Sequence, residues 1–389
     1  MASKESNYFY FYFITFGILF FIHIVVYFTF FYRSQIFGVN LQKGGIAFVL
    51  ILLIFSATFP ILHSKFHLPY VLDFILAVSL GAGFLLFVGA ICYYIIVLFP
   101  FIFIPEHRFW DIAPYIKQLV FIVSILVIFF SIYKGTFEKI ALVNQNIFIK
   151  NLKVPLKIVQ ISDLHINTLS TKRNIQNVIN LANSQNADAI VLTGDIIDYR
   201  LQEIEDKVDL LKNLRARDGI YYILGNHEMF HSATNILNKL KTFGWTILNN
   251  ASVSIKVNDN RVLNVVGIPD YTSERFLSKY KIDLKKAIFG GFEDLPTLLL
   301  SHQPKVTTDL KTLPSPEYKV DLVLSGHTHG GQIFPFNFLV KLQQPYVRGM
   351  HEFKDGEFIY ISVGSGTWGP PMRLGSRSEV VVFNLLPAP

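Results

Sequence analysis

The sequence predicts an α/β domain with two packed sheets, preceded by an α-helical transmembrane region. Hydrophobic residues make up 51% of the 389-residue chain and are concentrated before about residue 135. After that point, short apolar strands alternate with amphipathic helices, which is the pattern of a sheet with helices on its faces. Extra strands late in the chain indicate a second sheet packed on the first. We therefore assign residues 1–135 to the membrane, 136–153 to a linker and 154–387 to the globular domain.

Four stretches are long and apolar enough for transmembrane helices. Residues 8–32 carry no formal charge, and as a helix they would cross ~30 Å of hydrocarbon. They lack the short apolar core and small-residue cleavage site of a signal peptide, so we expect a permanent anchor. The other spans are predicted at 46–62, about 71–98 and 118–133. Pro100 and Pro105 indicate an interfacial turn after the third span; a hairpin in that stretch is the alternative and would give five spans.

Few ionisable side chains fall within these spans. His23 and Asp73 are the ones well placed to lie inside the membrane, and an intramembrane carboxylate is by default a functional candidate. Asp73, however, is close enough to the start of its span to reach the interface. The scarcity of charge argues against a transporter or channel. Basic residues divide evenly between the two sides, so the positive-inside rule gives only a weak preference for a cytoplasmic globular domain.

Charge and cysteine content narrow the range of partners. The net charge of +7 is spread along the chain without a long basic block, so we expect no nucleic-acid partner. Basic residues near a membrane favour anionic lipid headgroups, although an ordinary solvated surface is the simpler explanation. The single cysteine, Cys92, lies in an apolar run, which excludes a disulfide framework and a thiolate metal site.

The globular half begins with an apolar and polar alternation in which Ile147, Ile149 and Leu152 resemble an edge strand. Helices are predicted at 171–185, about 203–215 and 233–243, where apolar residues recur at helical spacing. Strands are predicted at 156–162, 187–193, 219–224, 252–257, 262–266, 298–301 and 321–325. Two hairpin-like segments, 357–363 and 379–385, close the chain.

Five polar motifs each follow one of these apolar strands directly. They are Asp163-Leu-His165, Gly194-Asp195-Ile-Ile-Asp198, Gly225-Asn226-His227-Glu228, Ser301-His302 and Gly326-His327-Thr-His329. Ligands of open α/β sheets bind at the carboxyl ends of the strands, so side chains far apart in sequence are expected to converge there. Each motif alone is a weak signal. Their common placement makes a shared site the better interpretation.

The side chains in these motifs are oxygen and nitrogen donors suited to divalent metals of intermediate hardness. Two such ions about 3.5–4 Å apart need a bridging carboxylate and several terminal ligands, and they can polarise a phosphoryl group and deprotonate a bound water. The candidate ligands are Asp163, His165, Asp195, Asn226, His302, His327 and His329. This donor set suits manganese, iron and zinc alike, so two divalent ions of these types are the predicted cofactors.

The ordered motifs resemble those of the calcineurin-like metallophosphoesterase superfamily, over about residues 154–387. That resemblance implies a four-layer α/β/β/α domain. The variant Gly326-His-Thr-His-Gly-Gly-Gln332 and the late segment Gly364-Ser-Gly-Thr-Trp-Gly-Pro-Pro-Met-Arg373 look closest to the membrane-associated YkuE/YaeI-type branch. Members of that branch often carry N-terminal spans.

The same resemblance implies a role for each candidate ligand. One metal would be held by Asp163, His165, Asp195 and His329, and the other by Asp195, Asn226, His302 and His327, with Asp195 bridging. His227 would lie over the phosphate, oriented by Asp198, and would stabilise the transition state or protonate the leaving oxygen. An imidazole that titrates near neutral pH is a suitable acid in its protonated form, and a carboxylate partner fixes its tautomer.

One departure from the superfamily pattern bears on the substrate. Phosphoprotein phosphatases of this superfamily place an arginine directly after the second aspartate of the second motif, where this chain has Tyr199. Arg200 comes one residue late and is expected to point elsewhere, which disfavours a protein phosphatase. Arg348 and Arg373 lie in glycine-rich loops and are the predicted substrate-binding residues, because a guanidinium can bind phosphate bidentately.

Three further expectations complete the interpretation. His231 and His351 are predicted to be surface residues. Gly225, Gly326, Gly330 and Gly331 are predicted to allow tight turns and close backbone approach to the metals.

The predicted protein is a membrane-anchored phosphoesterase for a phosphodiester, pyrophosphate or phosphomonoester. A lipid-linked substrate is the sharper hypothesis, since the resemblance includes enzymes that act on lipid A precursors; a catalytically idle membrane scaffold is the alternative.

Overall fold

The chain forms two compact units in a computed structural model that describes residues 2–36, 39–103, 106–292, 294–314 and 317–389. The first unit is Met1–Phe137 with Gly369–Met372, and the second is Glu138–Trp368 with Arg373–Pro389. The first is helical, and the second contains the two sheets and all five polar motifs. Each is described by itself below.

The first unit contains four long helices: α1 (Ala2–Phe30), α2 (Gln42–Lys65), α3 (Tyr70–Phe103) and α4 (Glu106–Thr136). A short antiparallel pair, Gln35–Ile36 with Val39–Asn40, lies between the first two. The segments long and apolar enough to cross a membrane are Tyr12–Phe30, Gln42–Lys65, Tyr70–Leu98 and Asp111–Thr136. The hairpin alternative for the third stretch is wrong, because α3 is a single helix. Pro105, predicted to mark a turn, lies outside the described residues.

The two ionisable side chains predicted inside the membrane are both buried in this unit. Asp73, in the first turn of α3, is 1% exposed and accepts a hydrogen bond from His63 Nδ1 at 2.9 Å. His23 is also 1% exposed, and its Nδ1 donates to the carbonyl of Leu19 at 2.7 Å. Asp73 therefore pairs with an imidazole of the neighbouring helix α2.

The second unit has twelve strands and seven shorter helices among its described residues. The strands are β1 (Ala141–Ile149), β2 (Leu156–Ile161), β3 (Ala189–Thr193), β4 (Gly219–Ile223), β5 (Thr246–Ile247), β6 (Ala251–Val257), β7 (Asn260–Gly267), β8 (Thr297–Leu300), β9 (Leu322–Ser325), β10 (Gly349–Lys354), β11 (Glu357–Ile361) and β12 (Glu379–Pro387). The helices are α5 (Lys172–Asn183), α6 (Leu201–Val208), α7 (His227–Phe230), α8 (Ala233–Thr242), α9 (Leu284–Phe289), α10 (Val306–Leu310) and α11 (Asn337–Val340). Four 3-10 turns lie at Asp209–Asn213, Ser273–Arg275, Ser278–Tyr280 and His329–Gly331.

These strands form two six-stranded mixed sheets. The first has the order β1-β12-β2-β3-β4-β5, in which β2 to β5 are parallel and β12 runs antiparallel to β2. The second has the order β10-β11-β9-β8-β7-β6, with β7, β8, β9 and β11 parallel and an antiparallel strand at each edge. Parallel strands place their carboxyl ends at one edge, where loops carry side chains to a common site.

The burial pattern stacks the two sheets between two helical layers. The core between the sheets joins side chains such as Val191 of the first sheet and Leu298 of the second. The opposite face of the first sheet packs on α5, α6 and α8, and that of the second packs on α9 and α10. Strands that are buried on both faces have continuous apolar sequences, whereas strands with one exposed face alternate apolar and polar residues. The predicted four-layer α/β/β/α architecture is confirmed.

One prediction about the end of the chain needs correction, and the prediction of an edge strand at the start of the domain is confirmed. The segments 357–363 and 379–385 do not form a hairpin: β11 pairs with β10, across a two-residue turn ending in Gly356, in the second sheet. Strand β12 lies in the first sheet between β1 and β2, and Val380 to Phe383 are each at most 1% exposed. The expected edge strand is β1, which lies within the range predicted to be a linker.

Candidate metal centre

All five motifs lie at the carboxyl edges of the sheets. Strands β2, β3 and β4 of the first sheet lead into the motifs that begin at Asp163, Gly194 and Gly225. Strands β8 and β9 of the second sheet lead into the motifs of His302 and His327. Backbone hydrogen bonds also join neighbouring loops within each sheet. The Asp163 amide donates to the Gly194 carbonyl at 3.1 Å, and the Gly326 amide donates to the His302 carbonyl at 3.0 Å. The site is therefore built by both sheets together.

The backbone at this edge adopts an unusual conformation. Five of the seven predicted ligands have a left-handed φ: Asp163 (50°), His165 (46°), Asp195 (52°), His327 (72°) and His329 (50°). Such a conformation costs a non-glycine residue on the order of 1–3 kcal/mol and persists where the surrounding structure imposes it. All five residues lie within four residues of the end of a strand.

A first group of donors contains Asp163, His165 and His329. One ligand atom from each lies within 4.8 Å of the other two, and all three side chains are buried. The Nε2 atoms of His165 and His329 are 2.9 Å apart. His329 Nε2 is 3.5 Å from Asp163 Oδ1.

A second group contains Asp195, His302, His327 and Asn226. Ligand atoms of the first three lie within 4.8 Å of one another. His302 Nε2 is 3.0 Å from Asp195 Oδ2, 3.2 Å from His327 Nδ1 and 3.2 Å from Asn226 Oδ1. The structure thus brings all seven predicted ligands into two adjoining groups.

Asp195 lies between the two groups. Its Oδ2 is 3.9 Å from His165 Nε2 on one side and 3.0 Å from His302 Nε2 on the other. Its other oxygen, Oδ1, accepts the backbone N–H of His227 at 2.8 Å. One carboxylate oxygen therefore faces imidazoles of both groups.

The donors fit divalent metal ions. His329 Nδ1 is buried and has no hydrogen-bond partner among the described residues. Burial, reinforced by the neighbouring His302, lowers the pKa of His327 to about 4, and burial together with His165 lowers the pKa of His329. Both imidazoles are therefore neutral near pH 7, which is the form that ligates metal. Nitrogen lone pairs packed this closely and buried are best satisfied by cations between them.

The carboxylates in the groups differ in their electrostatics. Burial raises the pKa of Asp195, but the charges of His302 and His227 outweigh burial and hold this pKa below its usual range. For Asp163, burial dominates and raises the pKa, with the like charge of Asp195 adding to the effect. Two buried carboxylates whose charges repel each other need compensating positive charge, which a pair of metal ions would supply.

Asp198 connects the first group to His227. Its Oδ1 accepts a hydrogen bond from His227 Nδ1 at 2.6 Å, and its Oδ2 accepts one from His165 Nδ1 at 3.0 Å. Burial by itself disfavours the charged imidazolium, yet Asp198 and Asp195 together raise the pKa of His227 to about 9. One carboxylate therefore holds the ring of His227 and the ring of a candidate ligand, His165.

The prediction that His231 is a surface residue is wrong. Its side chain is 15% exposed, and its Nε2 lies 3.5 Å from Asp198 Oδ1. The short helix α7 ends just before His231 and returns this residue toward the site. His351, in contrast, stacks on Tyr346 outside the donor groups, with ring centroids 4.7 Å apart.

Glu228 is a site residue whose role the sequence did not reveal. It is fully buried and accepts the backbone N–H groups of Asp195, Ile196, Ile197 and Gly225 at 2.7–3.1 Å. Burial and the charge of Asp195 raise the pKa of Glu228, while these donors favour its ionised form. This single carboxylate fixes the loop that carries Asp195 to the loop that carries Asn226. The available signal was its place as the last residue of the third motif.

Two glycines permit this close approach. A Cβ on Gly225 would lie 2.1 Å from Asp195 Oδ1, and a Cβ on Gly326 would lie 2.0 Å from Ser162 Oγ and 2.1 Å from Asp163 Oδ2. No side chain fits at either position without displacing a candidate ligand. The expected structural role of these glycines agrees with the packing.

The two arginines predicted to bind substrate differ in environment. Arg373 is fully buried, and its terminal nitrogens donate to the carbonyls of Val363, Gly364 and Gly366 and to Ser376 Oγ. Burial lowers the pKa of Arg373 to about 10. The terminal nitrogens are engaged by the loop, and Nε has no hydrogen-bond partner among the described residues. Because the whole side chain is buried, the prediction of substrate binding is corrected to a structural role. Arg348 is exposed and donates to the Gly375 carbonyl at 2.6 Å.

The residues that disfavour a protein phosphatase lie as expected. Tyr199 is 1% exposed, so it fills the core rather than reaching for a ligand. Arg200 forms an ion pair with Glu203 at the start of α6.

A two-sheet α/β domain with paired donor groups at its carboxyl edge is the architecture of a metallophosphoesterase. The family model of calcineurin-like phosphoesterases matches residues 156–331. An uncharacterized metallophosphoesterase of Helicobacter pylori is 35% identical over 258 residues, which are 66% of this chain and 67% of the relative. YkoQ, an uncharacterized metallophosphoesterase of Bacillus subtilis, is 31% identical over 245 residues, 59% of this chain and 83% of the relative. The chain belongs to the calcineurin-like phosphoesterase family.

The name of a third relative describes both a metallophosphoesterase domain and a transmembrane protein. The bovine transmembrane protein with metallophosphoesterase domain is 34% identical over 242 residues, 60% of this chain and 54% of that protein. These relatives establish the superfamily. The YkuE/YaeI-type branch remains a prediction.

Replacing Glu228 by glutamine should weaken metal binding. The glutamine amide nitrogen cannot accept the N–H groups that the carboxylate now holds, and each buried donor left unsatisfied costs about 1–3 kcal/mol. Loss of such a supporting contact typically lowers metal affinity by about 10–100-fold. Elemental analysis of the full chain after dialysis against graded metal concentrations measures this change. Glu203→Gln, which removes a partly exposed ion-pair partner of Arg200, is the matched control and should bind like the wild type. Unchanged affinity in Glu228→Gln would contradict the assigned role.

Proposed function

We propose that this protein is a membrane-anchored phosphoesterase whose active site holds two divalent metal ions bridged by Asp195. The observation that supports this most directly is the position of Asp195 Oδ2, which faces His165 on one side and His302 on the other. A carboxylate in that position with imidazoles on both sides is the arrangement that a dinuclear hydrolytic centre requires.

The proposed ligands divide between the two donor groups. One ion would be held by Asp163, His165, Asp195 and His329, and the other by Asp195, Asn226, His302 and His327. Bound metals of this kind supply a hydroxide nucleophile at neutral pH and stabilise charge on the phosphoryl oxygens. The donor set suits manganese, iron and zinc.

His227 is the proposed proton donor to the leaving oxygen. Its Nδ1 is committed to Asp198, so Nε2 is the nitrogen available to a substrate, and it lies 4.0 Å from Asp195 Oδ2. The carboxylate fixes the ring orientation and favours the protonated form that an acid needs. His165 shares the same Asp198, which couples the position of the acid to the position of a ligand.

The rim beside His227 is aromatic. Phe230 and Trp368 are 55% and 47% exposed, and their ring centroids lie 5.5 Å and 6.3 Å from that of His227. An apolar rim of this kind supports a substrate with a hydrophobic portion next to its phosphoester.

The exposed Arg348 is the proposed phosphate-binding arginine, although the guanidinium already makes one contact with a backbone carbonyl.

Membrane attachment is proposed through the four long helices of the first unit. Their apolar segments contain 19 to 29 residues, and ~20 apolar residues are needed to cross a bilayer. The name of the bovine relative supports the same assignment. A multi-pass protein with a cytoplasmic globular unit and a lipid-linked phosphodiester, pyrophosphate or phosphomonoester as substrate is the form of the proposal that we favour. The scaffold alternative is disfavoured, because every candidate ligand and His227 is retained in place.

Replacing Asp195 by asparagine should abolish hydrolysis. The amide oxygen cannot carry the charge that both proposed ions share, so turnover should fall to background for bis-p-nitrophenyl phosphate and p-nitrophenyl phosphate alike. The assay uses the full chain in detergent, loaded separately with manganese, iron or zinc. Asp206→Asn changes a carboxylate that is 60% exposed and should leave turnover unaffected. Full activity in Asp195→Asn would contradict the proposal, as would a metal-loaded wild type inactive on these esters and on a nucleotide-diphosphate-linked acylated sugar.

Replacing His227 by glutamine should separate catalysis from metal binding. His227 is not among the proposed ligands, so both ions should remain, while the rate should fall by about 10²–10⁴-fold because the proton donor is lost. The loss should be smaller for an ester whose leaving group is a good one, such as p-nitrophenolate. His351→Gln is the control, since this imidazole lies outside the donor groups. Loss of bound metal in parallel with activity would contradict the separate role of His227.

A further inference from the structure

The loop that follows the last metal motif presents an unusual apolar surface. We call residues 334–342, with the sequence FPFNFLVKL, the apolar segment. Its Phe334, Phe338, Leu339 and Leu342 are 50%, 59%, 52% and 82% exposed. Among the described residues of the globular unit, no other stretch of nine residues exposes four large apolar side chains. A cluster of this kind on a soluble surface marks an interaction site.

The apolar segment is ordered at both of its ends. The Phe334 amide donates to the Leu374 carbonyl at 2.8 Å, and the short helix α11 lies within the segment. Just beyond it, Gln344 is buried and accepts the Lys305 amide at 3.1 Å. Rings of Phe334 and Phe338 contact each other edge to face, with centroids 5.8 Å apart. The segment therefore has a defined conformation, and in that conformation these apolar side chains are exposed rather than packed in the core.

The charged residues next to the apolar segment in the sequence have one sign. From residue 322 to residue 351 the sequence contains no Asp or Glu. Lys341 lies within the segment and is exposed, and Arg348 follows it and is exposed as well. Apolar side chains flanked by basic ones are the composition of segments that insert at the surface of an anionic bilayer.

The rest of the chain favours a bilayer as the occupant of this surface. The helices of the first unit are long and apolar enough to cross a membrane, and only four residues, 137–140, separate α4 from β1. The globular unit would therefore remain at high local concentration beside a bilayer, so a modest apolar surface suffices for insertion.

We infer that the apolar segment inserts into the interfacial region of an anionic bilayer, as a membrane contact separate from the long helices. Phe338, Leu339 and Leu342 enter the acyl boundary, and Lys341 and Arg348 face anionic headgroups. Phe334 lies five residues after His329, so their Cα atoms are at most roughly 18 Å apart. The inserted segment thus brings the candidate metal centre within reach of phosphoesters at headgroup level. This consequence rests on the proposed function, whereas the insertion itself does not.

The insertion can be measured in the full chain reconstituted in nanodiscs. In a Cys92→Ser background, which removes the one native cysteine, Phe338→Cys and, separately, Leu342→Cys carry an environment-sensitive fluorophore. Phe289→Cys is the matched control, because Phe289 is 66% exposed but lies in α9. The nanodiscs contain phosphatidylcholine and phosphatidylglycerol, with or without brominated acyl chains. We expect a blue-shifted emission at 338 and 342 that loses more than about half its intensity to the brominated lipid, and neither effect at 289.

Three results would overturn the inference. Labels at 338 and 342 that are quenched no more than the label at 289 would show that the segment stays in water. A blue shift that depends on protein concentration and is insensitive to brominated lipid would show a contact with a second copy of the chain. Equal quenching in nanodiscs with and without phosphatidylglycerol would remove the role assigned to the basic residues.

A second variant keeps this test independent of the proposed function. Leu339→Asp with Leu342→Asp should weaken the quenching at position 338 several-fold while leaving turnover of the water-soluble bis-p-nitrophenyl phosphate unchanged, because neither residue belongs to the metal centre. Quenching without any hydrolysis by the parent protein would leave the insertion supported and the proposed function refuted. Quenching at 338 that the paired substitution does not reduce would refute the insertion alone.

Discussion

The position of the Asp195 carboxylate is the constraint on which the rest of the site depends. One of its oxygens faces imidazoles of both donor groups, and the other accepts the His227 amide. Glu228 accepts hydrogen bonds from four backbone N–H groups and so fixes the loop that carries Asp195. Gly225 has no Cβ and therefore leaves room for Asp195 Oδ1. The two sheets contribute loops to the same edge, so their packing determines whether the donors meet. The buried core between the sheets therefore positions the candidate metal centre as well as stabilising the domain.

The electrostatics of the site favour the binding of positive charge among its donors. Buried carboxylates are unfavourable unless paired, and here Asp163 and Asp195 lie among imidazoles whose pKa values are pushed in opposite directions. The pKa of His302 is raised, against the effect of burial, by Asp195, whereas burial lowers the pKa of His327 and of His329. The neutral imidazoles of His327 and His329 and the ionised carboxylate of Asp195 are the forms that bind metal, whereas His302 would release its proton when it ligates an ion. Asp198 adds a second constraint, because it holds a ligand and the proposed acid with one carboxylate.

Much of this could be predicted from the sequence, for a physical reason. Polar motifs directly after apolar strands identify the candidate ligands, since parallel strands bring their carboxyl ends together whatever the separation along the chain. The left-handed backbone at Asp163 and His329 could not be foreseen, because tertiary contacts impose it. The insertion of β12 between β1 and β2 depends on long-range pairing that no local pattern encodes. The buried roles of Glu228 and Arg373 could not be foreseen either, since charged side chains usually face water.

The central claim is that Asp195 bridges two metal ions in one site, and electron paramagnetic resonance of the manganese-loaded full chain tests it most directly. Ions about 3.5–4 Å apart that share a carboxylate should be exchange-coupled, so wild-type protein should bind two manganese ions and give the spectrum of a coupled pair. A single bound ion, or two ions with the spectrum of isolated manganese, would contradict the account.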